Sequence, residues 1–430
     1  MDLSYAISAE ISLHGPFANT NSYISSYTTG DQIKGVVSVV SSHDVKFDNL
    51  QISFEGGYKK SRKFKLVIHW AWLKRATGEQ STHTRHATPN KSHHQFQNLM
   101  QSESALPTPR VLYKNKKYNF EFSFQVLDIL PPAACLHTSA SARVKAAHLQ
   151  LPPSLGDATI SGLGGKLRDD FAPAACQILY SIKFQLNRAN ALSGKQETLF
   201  AKRQQLRIKP ALDDSSLGLY PDCLTQFEYR MQGERLIYPK RQKEAVGSLS
   251  VTVQGPVCIW LPLRDPNLLL SQAIPLSLIY QQHNQQSTQP PELELDSFES
   301  QIIATTLYTT KKNDDYQRIE KREFLGQPTN FYDKQFPPLI RPISSVPWAQ
   351  SATGAYITTL QIPTTLPCEN FVPTFHSCLV SRIYTLKCRL NVRNNGSIKL
   401  LIPLIISSKR DPAALPSYDA SAVSIGNVGT

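Results

Sequence analysis

No apolar run in this chain approaches the ~20 residues that a helix needs to cross a bilayer. The longest, Leu400 to Ile406, is short and holds Pro403. A sustained helical period is missing as well. Cysteine pairs at redox or metal-finger spacing are also absent. The seven cysteines, Cys135, Cys176, Cys223, Cys258, Cys368, Cys378 and Cys388, include no C-x-x-C. An odd count without such a pair argues against a disulfide framework and for free thiols in a reducing compartment. The first residues lack the unbroken apolar core of an export segment. Leu3, Tyr5, Ile7, Ala9, Ile11 and Leu13 alternate with polar residues instead, which predicts a strand and a cytosolic home. Acidic charge is in deficit: 33 Asp and Glu against 46 Lys and Arg, a net +13. Much of the excess is local, because residues 59–91 carry nine Lys or Arg against Glu79 alone. That stretch reads as a solvated basic insertion, with contact to anionic membrane as the functional alternative and no nucleic acid expected.

What the chain has is alternation with a period of two, which puts successive side chains on opposite faces of a sheet. Residues 28–58 predict two strands: Val37 and Val39 face one side of the first. In the second, Leu50, Ile52 and Phe54 face inward while Gln51, Ser53 and Glu55 face water. Tyr118, Phe120, Phe122, Phe124 and Val126 form another inward row, as do Cys176, Ile178, Tyr180, Ile182, Phe184 and Leu186. A second series follows the middle of the chain, with Leu249, Val251 and Val253, then Ile274 to Tyr280, 301–309, 355–362, Tyr384 to Val392 and Ile398 to Ile406. Many short strands between turn residues indicate antiparallel β-sandwiches. One short helix is expected over 140–148, closed off by Pro152 and Pro153. The expected organisation is a sandwich over 1–209 with a basic insertion at 58–96, a linker at 210–246, a second sandwich over 247–408, and a flexible tail at 409–430.

Three blocks carry a family resemblance. The first is Tyr27, Thr28, Gly30, Asp31, Ile33, Gly35 and Val37, followed by Val45, Phe47, Asp48, Ile52, Phe54, Glu55 and Gly56. The second is LPPAAC at 130–135 with AHLQLPPSLGD at 147–157, and the third is FVPTFHSCLVSRIYTL at 371–386. Together they resemble the fungal arrestin-like proteins of the alpha-arrestin type, over most of 1–408. Against that pattern, the stretch between the F-E-G strand and the turn Leu106 to Arg110 is an insertion. The resemblance implies an all-β fold of two tandem arrestin-like sandwiches. It also implies a non-enzymatic adaptor that links membrane transporters or receptors to a WW-domain, HECT-type ubiquitin ligase for endocytosis, working at the plasma membrane or endosomes. The alternative is a structural sorting subunit of an endosomal coat.

The candidate ligase-binding residues are Leu415, Pro416, Ser417 and Tyr418, a relative of the P-P-x-Y motif. A proline before an aromatic presents a preformed extended turn to a WW groove, so little entropy is lost on docking. Leu415 in place of the first proline weakens the match. His376 and Cys378, two apart on a strand, share a face and invite a nucleophile reading, yet the alternation places Cys378 in a core. An activated thiol needs a base and partial exposure. His83, His86, His93 and His94 cluster without a nearby cysteine, which argues against structural zinc there. Gly162, Gly164 and Gly165 lack a strand–turn–helix setting and read as a loop. Asn395–Gly396 reads as a hairpin turn. No catalytic residue, metal or cofactor is assigned on these grounds.

Overall fold

The computed structural model describes residues 6–14, 26–60, 67–75, 94–96, 106–135, 140–160, 169–174, 176–190, 194–211, 229–239, 244–261, 271–283, 293–309, 315, 330–343, 346–367 and 370–408. Among them the chain is all β apart from one α-helix and a short 3-10 turn. The first half forms a sheet ordered Ile7–His14, Gln32–Ser41, Lys117–Gln125. Facing it is a longer sheet centred on Cys176–Ala189, which pairs with Asn49–Lys60 on one side and Gln196–Ile208 on the other. The second half repeats the plan. Gly247–Val253, Ser271–Gln282 and Tyr356–Thr365 lie in one sheet, and Leu295–Tyr308, Val380–Val392 and Gly396–Ser408 in the other. The result is two β-sandwiches with an arrestin-like architecture.

The inward rows expected from the sequence are the cores. Phe120, Phe122, Phe124, Ile178, Tyr180, Ile182, Phe184 and Leu186 meet Val37, Val39, Leu50, Ile52 and Phe54 in the first. Leu249, Val251, Leu276, Leu278, Leu386, Leu390, Ile398, Leu400 and Ile402 fill the second. Two glycines of the first sandwich sit where a side chain has no room. A Cβ on Gly35 would lie 2.3 Å from the Ser12 carbonyl oxygen and 2.6 Å from the Phe122 ring. One on Gly56 would lie 2.6 Å from the Tyr180 ring, whose hydroxyl donates to the Pro152 carbonyl at 2.6 Å. The aromatic rows thus dictate glycine on the paired neighbouring strands.

The helix forms at Ala142–Leu149, where Ser141 Oγ accepts from the Val144 amide at 3.2 Å as an N-cap. The Asn395–Gly396 turn is a hairpin tip, with Asn394 and Gly396 both at positive φ.

Two expectations need correction, and the insertion gains detail. Ser53 and Glu55 do not face water; both are buried. They lie mid-sheet, where Glu55 pairs with Lys183 of the adjacent strand at 3.4 Å and with Arg203 of the strand beyond it at 3.3 Å, so the basic residues satisfy the carboxylate. Within the insertion, Val67–Arg75 is a strand antiparallel to Asn49–Lys60, and His94–Phe96 pairs with it in parallel. It lengthens the sheet. Inside the stretch expected as a linker, Gln232–Ile237 is an edge strand of the second sandwich, paired with Gly247–Val253. It is mostly exposed and buries only Ile237, so the alternation that marks a half-buried strand never appears in its sequence. It also reaches the opposite sheet: Arg235 Nε donates to the Asn395 carbonyl at 2.6 Å. No helix of the described residues is long and apolar enough to cross a membrane.

Candidate functional site

The two sandwiches are stitched together by the run from Asn370 to Tyr384. Its apolar residues divide between the cores. Val372, Phe375, Cys378, Leu379 and Val380 belong to the first, while Phe371 and Tyr384 belong to the second. The fold makes this division by a tight reversal. Phe375–His376 pairs back on Arg382 and Ser381, and the Ser377 amide donates to the Val380 carbonyl at 3.0 Å. Ser377 Oγ fastens the reversal, donating to the Val380 carbonyl at 2.6 Å and accepting from its amide at 3.1 Å. Tyr58 of the first sandwich donates to the same Oγ at 2.6 Å, and burial pushes its phenol well above the ordinary value. Tyr384 donates to the Val372 carbonyl at 2.7 Å.

A reciprocal insertion comes from the first half. Phe171 sits in the second core, edge-on to Phe336 with ring centroids 4.9 Å apart and 6.3 Å from Phe371. Its φ is +57°, a left-handed conformation that costs a bulky residue about 1–3 kcal/mol and persists only where neighbours enforce it. Two carboxylates enforce it. Asp169 accepts from the Phe171 amide at 3.0 Å, and Asp170 accepts from the amides of Gly156 at 2.6 Å and Ala172 at 3.2 Å. The carbonyls of this turn point at Arg382, which is fully buried. Its Nη1 and Nη2 both donate to the Asp170 carbonyl at 3.1 Å, and Nη2 donates to the Phe171 carbonyl at 3.2 Å. The guanidinium also lies 5.8 Å from the Tyr384 ring centroid, within cation–π range.

Two further basic residues, both half-buried, lie beside this seam. Arg207 donates to Asn370 Oδ1, and burial lowers its pKa to about 10 against the opposing pull of Asp170. Lys209 is pushed down to about 7, mainly by burial and secondarily by Arg207. The seam is therefore a polar layer between two apolar cores, centred on the buried Arg382 guanidinium and closed by backbone carbonyls. Such a layer fixes one relative position of the sandwiches, because each carbonyl displaced from it loses a partner.

His376 and Cys378 lie at this seam, both buried. Burial and the neighbouring His148 push His376 down to about 3. The thiol has a different imidazole for company. Cys378 Sγ is 3.6 Å from His148 Nδ1, and Cys135 Sγ is 3.9 Å from the same nitrogen. Cys135 closes the turn Pro132–Ala134, and His148 is on the helix. One ligand-type atom from each of the three lies within 4.8 Å of the others, a donor set of the metal-binding kind. This cluster went unnoticed in the sequence because its members come from distant segments. The signal that marks it is C-x12-H at 135–148 followed by H-x-C at 376–378. Of the histidines weighed for metal at 83, 86, 93 and 94, His83, His86 and His93 lie outside the described residues, and His94 stands on a strand of the insertion. Leu415, Pro416, Ser417 and Tyr418, and the tail 409–430 that carries them, also lie outside the described residues.

Residues 341–409 match the family model described as the Bul1 C terminus, an arrestin-related family. The match covers the last strands of the second sandwich and the whole of the seam run. No curated protein matches the chain.

Proposed function

We propose that this chain is a non-enzymatic, arrestin-like adaptor in ubiquitin-dependent trafficking. Its sandwiches, taken as modules over 1–209 and 247–408, hold cytosolic regions of membrane transporters or receptors. Leu415 to Tyr418 recruits a WW-domain ubiquitin ligase of the HECT type, and the chain works in the cytoplasm, peripherally at the plasma membrane or endosomes. The observation that carries this reading is the match of 341–409 to the Bul1 C terminus on a pair of arrestin-like sandwiches. The mechanism is proximity. The last strand ends at Ser408, and the motif follows it closely in sequence. A ligase held there shares one scaffold with the cargo, at an effective concentration on the order of millimolar for a short connection. The basic residues of 59–91 add attraction to anionic membrane.

The test is retention on immobilised WW domains of the wild-type chain and of Tyr418→Ala. Retention of wild type with at least about a tenfold loss in the variant is expected, since the tyrosine fills the second groove. Wild type that passes through unbound removes the ligase arm and leaves a coat-type sorting subunit, which shares the fold and needs no such motif.

A further inference from the structure

We propose that Cys135, His148 and Cys378 hold a structural zinc ion at the seam between the sandwiches, and that His376, which stands outside their 4.8 Å cluster in this structure, turns in as the fourth donor. Zinc at such sites takes four ligands tetrahedrally, with bonds of about 2.3 Å to sulfur and about 2.0 Å to nitrogen. Those bonds set the ligand atoms apart by about 3.6 Å for sulfur to nitrogen and about 3.8 Å for sulfur to sulfur. The two sulfur–nitrogen separations here are 3.6 Å and 3.9 Å, and all three donor atoms fall within 4.8 Å of one another. Three corners of the tetrahedron are thus in place. His376 stands two residues before Cys378 and is as buried as His148, but its ring lies outside the 4.8 Å cluster, so loading has to turn it inward. It is the one further His, Cys, Asp or Glu on the reversal that carries Cys378.

Charge favours the assignment. Two thiolates balance the dication, and two neutral imidazoles add nothing, so the loaded site is neutral overall. A neutral cluster can be buried between apolar cores; an isolated ion cannot. The soft sulfur and imidazole set in tetrahedral disposition selects zinc over the hard cations, which take oxygen ligands. The location gives the ion a purpose. Cys135 and His148 belong to the first half of the chain, His376 and Cys378 to the run that enters from the second. One ion therefore clamps the segment 131–149 to the reversal 375–380 and stiffens the seam. Loading releases the thiol protons to solvent as the two Zn–S bonds form, so affinity rises with pH.

The full-length chain, purified under reducing conditions without chelator, is expected to carry about one zinc per chain. Stripping with a chelator should lower Tm, and added zinc chloride should restore it. Cys135→Ser and Cys378→Ser should bring bound zinc close to zero, and His376→Asn should weaken zinc affinity by at least about tenfold. Because the cysteine variants risk misfolding, a second measurement uses the stripped wild type. Cobalt(II) should give the intense d–d bands of a tetrahedral site together with thiolate-to-cobalt charge transfer. Octahedral cobalt spectra, or wild type that stays metal-free after zinc is added, overturns the proposal. So does a chain mass lower by the two hydrogens of a Cys135–Cys378 disulfide in freshly purified protein.

Discussion

Replacing Arg382 by methionine tests whether the seam is held by its polar layer. Methionine keeps most of the volume, so cavity formation adds little. What is lost is the partner of two buried carbonyls, those of Asp170 and Phe171, which now receive three hydrogen bonds of 3.1–3.2 Å from the guanidinium. Each carbonyl left unsatisfied costs about 1–3 kcal/mol, so the pair costs about 2–6 kcal/mol. Removing a buried charge returns part of its desolvation penalty, which moves the expectation to the middle of that range, about 3–4 kcal/mol. Phe171 adds to the effect, because its left-handed backbone depends on the turn whose carbonyls Arg382 holds. Arg382→Lys is expected to be little better, since an ammonium lacks the planar fork that spans both oxygens. The assay is urea denaturation of the full chain followed by tryptophan fluorescence, with Trp348 packed against the second core as one reporter. Wild type is expected to unfold as one unit through the shared seam, and Arg382→Met to separate the two sandwiches into distinct transitions. A loss below about 1 kcal/mol with a single unchanged transition would refute the reasoning, because two buried carbonyls cannot lose a cation so cheaply.

Gly56→Ala is expected to destabilise by about 1–3 kcal/mol, since its Cβ would press on the Tyr180 ring. Gly35→Ala should cost at least as much, because the nearest obstacle is the Ser12 backbone oxygen and cannot rotate away. Thermal melts of both, set beside wild type, check this; unchanged Tm in either contradicts the close approach. Lys209 supplies a pH dependence. Its folded value of about 7 stands against 10.5 for an ordinary lysine, so between those values the unfolded chain binds a proton that the folded chain does not. Stability from this group therefore rises as pH increases from about 7 to about 10, and is at its lowest below 7. Lys209→Met should flatten that rise in denaturation series at about pH 7 and about pH 9.5; an identical slope in the variant defeats the assignment.

The resemblance blocks acquire physical reasons in the structure. At Gly35 and Gly56 an aromatic on the paired neighbouring strand needs the space of a side chain. Gly30, at φ +86°, lies in the turn that Asp31 fastens through the Thr28 amide at 2.8 Å. Asp48 accepts from the Ala189 amide at 2.6 Å and ties the F-D corner to the end of the central strand. Phe371, Val372, Phe375 and Tyr384 are spaced so that one run serves both cores.

Period-two alternation alone determined the all-β class, the inward rows of both sandwiches and the burial of Cys378, because a strand's faces follow directly from residue order. Pro152 and Pro153 likewise marked the end of the short helix, while the Ser141 cap that starts it emerged only in the structure. Sequence order could not disclose the burial of Glu55, the edge strand at Gln232–Ile237, the enclosure of Arg382 or the meeting of Cys135, His148 and Cys378. A polar side chain is buried only when partners from other strands satisfy it, and an edge strand that stays wet leaves no apolar pattern. Donors separated by more than two hundred positions become neighbours only when the two sandwiches close on each other. The tertiary structure decided those four features for that reason.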